Sequence, residues 1–194
     1  MIVGIDLAGS DKRPTGFCVL KDMEVKCWLV YTDKDIIEAV DFFKPKIVAI
    51  DAPLSLPRGR ESIDKISKIH LRGCDRKLLK MKIKFFPITL GPMRMLTKRG
   101  MRLKKLLESN GHRVIEVYPG AAQDILGIPR KQKGLEVLRR GLTNLGLKGQ
   151  INKRKITGDE LDAITCALVG KMFLEGNALA IGDPGEGLII LPRK

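Results

Sequence analysis

The chain has 194 residues, of which 44% are hydrophobic, and that is enough for one domain with a substantial core. No apolar run approaches the length of a membrane span, no signal peptide is visible, and the four scattered cysteines lack metal-ligand or redox spacing, so we expect a cytoplasmic protein with no membrane partner. The 36 lysine and arginine residues outnumber the 22 aspartate and glutamate residues, and this net charge of +14 favours a polyanionic partner.

The chain begins with a predicted antiparallel meander. Aliphatic residues flank a single carboxylate, Asp6, in residues 2–10, and this pattern is typical of a buried strand. Residues 15–20 and 24–31 are predicted to form two further strands, because the link between them is short enough for a hairpin.

A helix and a second aspartate-bearing strand are predicted after the meander. Thr32 is placed to cap the helix and Pro45 to end it. Residues 47–52 repeat the apolar pattern around one carboxylate, Asp51. Because a strand, a helix and a strand of this length make a crossover unit, we expect this strand to lie parallel to a member of the meander.

The second half is predicted to be mostly helical, with a basic helical insertion at about residues 55–110. Helix-spaced apolar residues or helices are expected over residues 61–80, 93–109, 135–145 and 157–174. A strand at residues 112–119 carries Glu116, and an apolar hairpin or tail surrounds Asp183. Thr157 and Glu160 have the spacing of a capping box, and Asn110-Gly111 is a helix stop. No internal repeat or linker appears, so we predict one domain over residues 1–194.

Two segments carry the positive excess. Residues 58–105 contain 16 basic and 3 acidic residues, residues 130–155 contain 9 basic and 1 acidic, and the remainder is mildly acidic. This asymmetry predicts a face that binds a polyanion such as DNA or RNA. A lysine-rich solvated surface is the alternative, but such surfaces usually mix both signs of charge.

Four acidic residues lie inside apolar elements, where an ionised side chain is costly to bury without a partner. They are Asp6, Asp51, Glu116 and Asp162. The ends of neighbouring parallel strands meet at one edge of a sheet, and Asp159 lies three residues before Asp162 on the last helix. Carboxylates this close cannot all stay ionised without cations, and oxygen-only ligands favour Mg²⁺ or Mn²⁺. We therefore predict a metal site held by Asp6, Asp51 and Asp162.

Each carboxylate also has a structural interpretation. Asp6 could cap the turn at the end of its strand. Glu116 could pair with a basic neighbour across the sheet. Asp159 could stabilise its helix through the favourable interaction of a carboxylate with the positive N-terminal end of the helix dipole. The capping-box spacing assigns Glu160 to a cap. A lysine amine in the position expected for a cation between Asp6 and Asp51 would count against a metal.

Five segments of the chain resemble the ribonuclease H-like superfamily, and within it an uncharacterised family of predicted RNase H-fold nucleases. These segments are residues 4–8, 49–54, 72–76, 114–120 and 159–167. The resemblance implies an α/β fold with a mixed five-stranded sheet in the order 3-2-1-4-5, strand 2 antiparallel, flanked by helices and with the basic helical insertion after strand 4. It also implies a carboxylate metal site. One departure is that members often have histidine where Gly158 or Asp159 stands.

The expected function is a metal-dependent nuclease, a hydrolase that cuts the phosphodiester bonds of DNA or RNA with Mg²⁺ or Mn²⁺. The residues assigned to catalysis are Asp6, Asp51, Asp162, Asp159 and Glu116, and those assigned to substrate binding are Arg72, Asp75 and Arg76. The alternative is a nucleic-acid-binding RNase H-fold module without catalytic activity. A phosphotransferase of the actin or sugar-kinase type has a similar Gly-x-Asp start, but needs a second domain to enclose its nucleotide. No obligate protein partner is evident.

Overall fold

The computed structural model describes residues 1–193, and its centre is a mixed sheet of eight strands in the order β6-β3-β2-β1-β4-β5-β8-β7. The strands are β1 (Ile2–Asp6), β2 (Thr15–Lys21), β3 (Glu24–Val30), β4 (Val48–Asp51), β5 (Val114–Val117), β6 (Lys148–Gly149), β7 (Ala178–Asp183) and β8 (Gly187–Pro192). Pairing is antiparallel between β1 and β2, β2 and β3, and β7 and β8, and parallel elsewhere. Lys194, the last residue of the predicted domain, lies outside the described residues.

The ribonuclease H-like arrangement is confirmed, because the first five strands follow the order 3-2-1-4-5 with β2 antiparallel to both of its neighbours. The prediction of five strands in all was wrong, since three more strands extend the sheet. The terminal hairpin β7–β8 covers the edge of β5, and β6 pairs with two residues of β3 on the opposite edge. An unpaired edge leaves backbone polar groups without partners, which favours covering it.

Helices pack on both faces of the sheet. They are α1 (Asp33–Phe43), α2 (Gly73–Lys80), α3 (Gly91–Ser109), α4 (Pro119–Ile125), α5 (Leu135–Asn144), α6 (Gln150–Lys153) and α7 (Gly158–Leu174), with a 3₁₀ turn at Lys131–Lys133. Val3 and Ile5 of β1 pack with α1 and α3, whereas Ile2 packs with α5 and α7 on the opposite face. This alternation follows from the two-residue period of a strand. No helix among residues 1–193 is long and apolar enough to cross a bilayer.

The predicted ends of several helices are confirmed. Thr32 caps α1 through a capping box with Asp35, and Thr157 and Glu160 form the predicted box at the start of α7. Asn110 ends α3, and Gly111 follows with a positive φ of 84°. Helix α4 was not predicted.

The basic segment between β4 and β5 is less helical than predicted. Helix α2 begins only at Gly73, and the preceding residues 61–72 form a loop. The buried guanidinium of Arg60 donates hydrogen bonds to the carbonyl oxygens of Ser62, Ile63, Lys65 and Ile69. These contacts gather the loop around one side chain, in place of the repeating amide–carbonyl bonds of a helix.

Candidate active site

Asp6 and Asp51 lie side by side at the ends of two neighbouring parallel strands. They are the last residues of β1 and β4, and their Cα atoms are partners in the register of the pair. Both side chains are only partly accessible. This juxtaposition is the one expected from the sequence, where the ends of neighbouring parallel strands bring both carboxylates to one edge of the sheet.

Helix α7 brings two further carboxylates to this edge. It lies directly on β1 and β2, where a Cβ atom at Gly4 would be 2.1 Å from the Ala163 carbonyl oxygen and one at Gly16 would be 2.0 Å from the Asp159 carbonyl oxygen. Only glycine at both positions permits this approach of helix to sheet. The first turns of α7 therefore place Asp159 and Asp162 against Asp6.

The amine of Lys131 lies among these carboxylates. Its Nζ atom is 2.8 Å from Oδ2 of Asp162, 3.5 Å from Oδ1 of Asp159 and 3.6 Å from Oδ2 of Asp6. Lys131 belongs to a short 3₁₀ turn and was not predicted to reach the site. The amine that would count against a metal was one between Asp6 and Asp51, whereas Lys131 pairs with Asp6, Asp159 and Asp162 and gives these carboxylates a cationic partner.

One amine does not compensate the acidic charge of the cluster. Burial raises the pKa of the Asp6 carboxyl to about 8, with Asp162 adding to the rise and Lys131 opposing it. Burial also raises the pKa of Asp51 well above its usual value, and Asp6 and Asp162 add to this rise. Burial lowers the pKa of Lys131, but the carboxylates of Asp6 and Asp162 outweigh burial, so the pKa of this amine rises. The ionised forms of Asp6 and Asp51 are therefore disfavoured as the site stands, and a further cation would stabilise them.

The carboxylate oxygens of the four aspartates are the kind of ligand that a hard divalent cation prefers, but their present arrangement does not form a ligand shell. The four aspartates offer only oxygen, which is what Mg²⁺ and Mn²⁺ prefer. Among residues 1–193, no three acidic, histidine or cysteine side chains are arranged to hold a metal ion as they stand. Binding would require the Lys131 amine to withdraw and the carboxylates to turn toward a common point.

In metal-free buffer, we expect the free energy of unfolding to fall as the pH rises from about 4 to about 8. In the folded protein, Asp6 keeps its proton up to about pH 8, whereas an unfolded aspartate loses it near pH 4. The folded state therefore binds more protons in this window, and Asp6 should lower stability by about 3–4 kcal/mol between pH 5 and pH 8.

Denaturant titrations at these two pH values measure the effect. Asp6→Asn should reduce the difference and leave the part that comes from Asp51, whereas Asp11→Asn, at an exposed position in the following loop, should retain all of it. The same pH dependence in the wild type and in Asp6→Asn would contradict the assignment to Asp6.

Gln123 holds Asp162 from the side opposite the solvent. Its Nε2 atom donates to Oδ1 of Asp162 at 2.8 Å and to the hydroxyl of Thr165 at 3.2 Å, and the residue is 1% exposed. Gln123 lies on α4, which the sequence analysis missed. Pro119 at the first turn of α4 is the signal that could have revealed this helix, because proline is favoured there.

Glu116, Arg72 and Asp75 form a separate buried cluster. The Arg72 guanidinium donates to both carboxylate oxygens of Glu116 at 2.8 Å and to Oδ1 of Asp75 at 2.9 Å. Glu116 also accepts a hydrogen bond from the backbone amide of Leu54 at 2.8 Å. Arg72 and Asp75 are each 2% exposed, so their polar atoms are used by the protein itself. Arg76, one residue further along α2, is exposed.

A cleft of about 330 Å³ leads from solvent to the aspartate cluster. Asp6, Asp159 and Lys131 line it, together with the loop after β1 and the start of α3. Arg13 in that loop adds a positive charge to its wall. The cleft therefore gives an extended anionic ligand access to Asp6.

Comparison with known proteins places the chain in a family. A family model described as "Protein of unknown function (DUF429)" matches residues 4–186, so the chain belongs to the DUF429 family. No curated protein matches it in sequence. Two solved structures are similar over 90% of this chain at 14% identity: "T. thermophilus RuvC in complex with Holliday junction substrate", with 94% of that chain covered and a TM-score of 0.48, and "Thermus thermophilus RuvC structure", with 96% covered and a TM-score of 0.46.

Proposed function

We propose that this DUF429 protein is a metal-dependent nuclease that hydrolyses the phosphodiester bonds of a nucleic acid. The observation that carries the proposal is the cluster of four aspartates from β1, β4 and α7. Within residues 1–193, its only ion-pair partner is Lys131. A buried excess of carboxylates at the open end of a ribonuclease H-like sheet is costly for stability, and a functional cation would account for it.

Asp6, Asp51 and Asp162 would hold Mg²⁺ or Mn²⁺. When bound, the cation would activate a water molecule and stabilise the charge that develops on the phosphate. Asp159 is the most exposed of the four side chains and lines the cleft, so it would face the substrate. Gln123 would keep the Asp162 carboxylate oriented, as a residue that acts through another.

Glu116 has a positioning role in this proposal. Its two oxygens are held by Arg72 and by the amide of Leu54, three residues after Asp51. The ion pair therefore fixes the path of the chain that leaves β4. Arg72 and Asp75 act with it in the interior, and exposed Arg76 is the member of this group that could contact a phosphate.

The basic side chains outside the cluster would hold the phosphates on either side of the cut. Exposed lysines and arginines occur on α2 and in the loop after it, and they are Arg76, Lys77, Lys80, Lys82 and Lys84. No ion pair engages any of these five within residues 1–193. Contacts of this kind predict binding that weakens steeply as salt concentration rises.

The test is a cleavage assay on single-stranded, duplex and branched DNA and on RNA, with Mg²⁺, Mn²⁺ or EDTA. We expect at least one substrate to be cut with either metal and none to be cut in EDTA. If no substrate is cut with either metal, the protein is not this kind of nuclease. Salt-dependent binding that is unaffected by metal and is not followed by cleavage would instead support a nucleic-acid-binding module without catalytic activity. The Lys131 amine within the aspartate cluster is the observation that favours this alternative.

Replacing Lys131 by alanine should raise the affinity for Mn²⁺ by about tenfold, because the amine and the cation compete for the same carboxylates. Calorimetry or the electron paramagnetic resonance signal of free Mn²⁺ measures this change. Lys133→Ala is the matched control, since Lys133 lies on the same 3₁₀ turn and is exposed. Equal Mn²⁺ affinity in the wild type and Lys131→Ala would mean that these aspartates do not form the metal site.

A further inference from the structure

A second cavity, of about 160 Å³, lies against Asp51 and is distinct from the cleft at Asp6. Its wall is mostly apolar and includes Phe85, Phe86, Ile88 and Met93. We call it the phenylalanine cavity. Asp51 lines it while pairing with Asp6 in the sheet, so a group in this cavity would lie next to the aspartate cluster.

Tyr118 fixes the loop that carries Phe85 and Phe86. The Tyr118 hydroxyl donates a hydrogen bond to the carbonyl oxygen of Lys84 at 2.6 Å, immediately before Phe85. Arg130 donates to the same hydroxyl at 3.3 Å and lies over its ring, 5.6 Å from the ring centroid. Arg130 directly precedes Lys131. One tyrosine therefore joins the wall of the phenylalanine cavity to the turn that carries the amine.

The shape and polarity of the cavity restrict what it can accept. It is smaller than the roughly 300–1,000 Å³ of pockets for drug-sized ligands, so its occupant is a fragment. Of the acidic and basic groups in its wall, Arg72, Asp75 and Glu116 already bind one another, and Asp51 belongs to the aspartate cluster. The remaining surface is suited to a flat apolar face, and the phenylalanine rings can stack on such a face.

The charge around the cavity indicates that this fragment belongs to a polyanion. Lys82 and Lys84 precede Phe85 in the chain, and both are exposed. Helix α2, whose Asp75 and Leu78 line the cavity, carries Arg76, Lys77 and Lys80 at exposed positions. An apolar cavity bordered by free cations complements a nucleotide, which has a planar base and an anionic backbone.

We infer that the phenylalanine cavity accepts one unstacked base of a nucleic-acid strand whose phosphate lies at the aspartate cluster. This inference rests on the proposed nuclease function and names its substrate class: strands with an unpaired base next to the cut. A base inside a continuous duplex is stacked and paired, and it cannot enter such a cavity without being extruded. Phe86, which is 68% exposed, is the residue on which the base stacks.

Fluorescence anisotropy in EDTA tests the inference separately from cleavage. Three labelled ligands of equal length are compared: a thymidine single strand, a strand made only of abasic sites, and a duplex. Phe86→Ala should weaken binding of the thymidine strand by about tenfold and should change binding of the other two by less than about twofold. Phe86→Trp should restore the affinity. Phe42→Ala is the matched control, because Phe42 is 78% exposed on α1 and does not line the cavity.

An equal loss on all three ligands, or no loss on the thymidine strand, would overturn the inference, as would a wild-type protein that binds none of them. The two proposals can fail separately. Metal-dependent cleavage without selectivity at Phe86 would retain the nuclease and reject the base site. Base-selective binding without cleavage in the presence of either metal would retain the base site and reject the nuclease.

Discussion

Replacing Asp6 by asparagine should lower metal-dependent cleavage by about a thousandfold, because loss of a central ligand removes several kcal/mol of charge stabilisation in the transition state. The asparagine side chain has nearly the same shape, but it cannot supply the negative charge that holds a cation. Initial rates of cleavage at saturating Mn²⁺, with the wild type measured in parallel, give the size of the effect.

The variant should remain folded, which separates this result from a loss of structure. Asp6 has a pKa of about 8 in the folded protein, so replacing it with a neutral amide removes the free-energy cost of keeping this side chain protonated at neutral pH. Asp11→Asn, in the exposed loop that follows β1, is the control and should retain full activity. Activity in Asp6→Asn close to that of the wild type would remove Asp6 from the site and reject the metal mechanism proposed for this cluster.

The aspartates could be predicted from the sequence because two local patterns determine where they lie. Asp6 and Asp51 each end an aliphatic strand, and the crossover before Asp51 predicts that its strand is parallel to a member of the meander. The strand order implied by the family resemblance makes β1 and β4 neighbours, and the structure has them paired. Asp159 and Asp162 share a helix face because they are three residues apart. The position of each aspartate within its own element therefore follows from local sequence, whereas the meeting of α7 with β1 and β4 depends on tertiary packing.

Lys131 and Gln123 could not be found in this way. Lys131 lies in a three-residue turn without hydrophobic periodicity, and its contacts with Asp6 join parts of the chain that are far apart in sequence. Nothing local distinguishes it from the other lysines of its basic segment. Gln123 reaches Asp162 only because α4 packs beside α7, and this depends on the docking of two helices.

The same reason explains why the sequence did not identify Arg72 as the partner of Glu116 and Asp75. Glu116 was correctly placed in the middle of a strand, and a basic partner was an open alternative to catalysis. The identity of that partner depends on how the loop after β4 returns to the sheet, which the helix-like spacing of residues 61–80 misrepresented. A basic segment whose composition is typical of an exposed surface can therefore contribute one arginine, here Arg72, to the interior.

Replacing Arg72 by alanine should destabilise the protein by about 3–5 kcal/mol, because it leaves the carboxylates of Glu116 and Asp75 buried without their cation. Burial opposes the charge of Arg72, but Glu116 and Asp75 raise the pKa of its guanidinium, so this side chain is ionised in the folded protein. Urea denaturation at neutral pH measures the loss. Arg76→Ala is the control, because Arg76 lies on the exposed side of α2, and it should change stability by less than about 0.5 kcal/mol.

A second substitution distinguishes charge from packing as the cause. Glu116→Gln in the Arg72→Ala background neutralises one of the two orphaned carboxylates, so it should recover part of the lost stability, whereas Glu116→Gln alone should be destabilising. If the double variant is as unstable as the sum of the single variants, the ion pair is not what stabilises this region. If the prediction holds, Arg72 and Glu116 stabilise the fold through their pairing. Because Glu116 also accepts the hydrogen bond of the Leu54 amide, the same interaction supports the chain that follows Asp51.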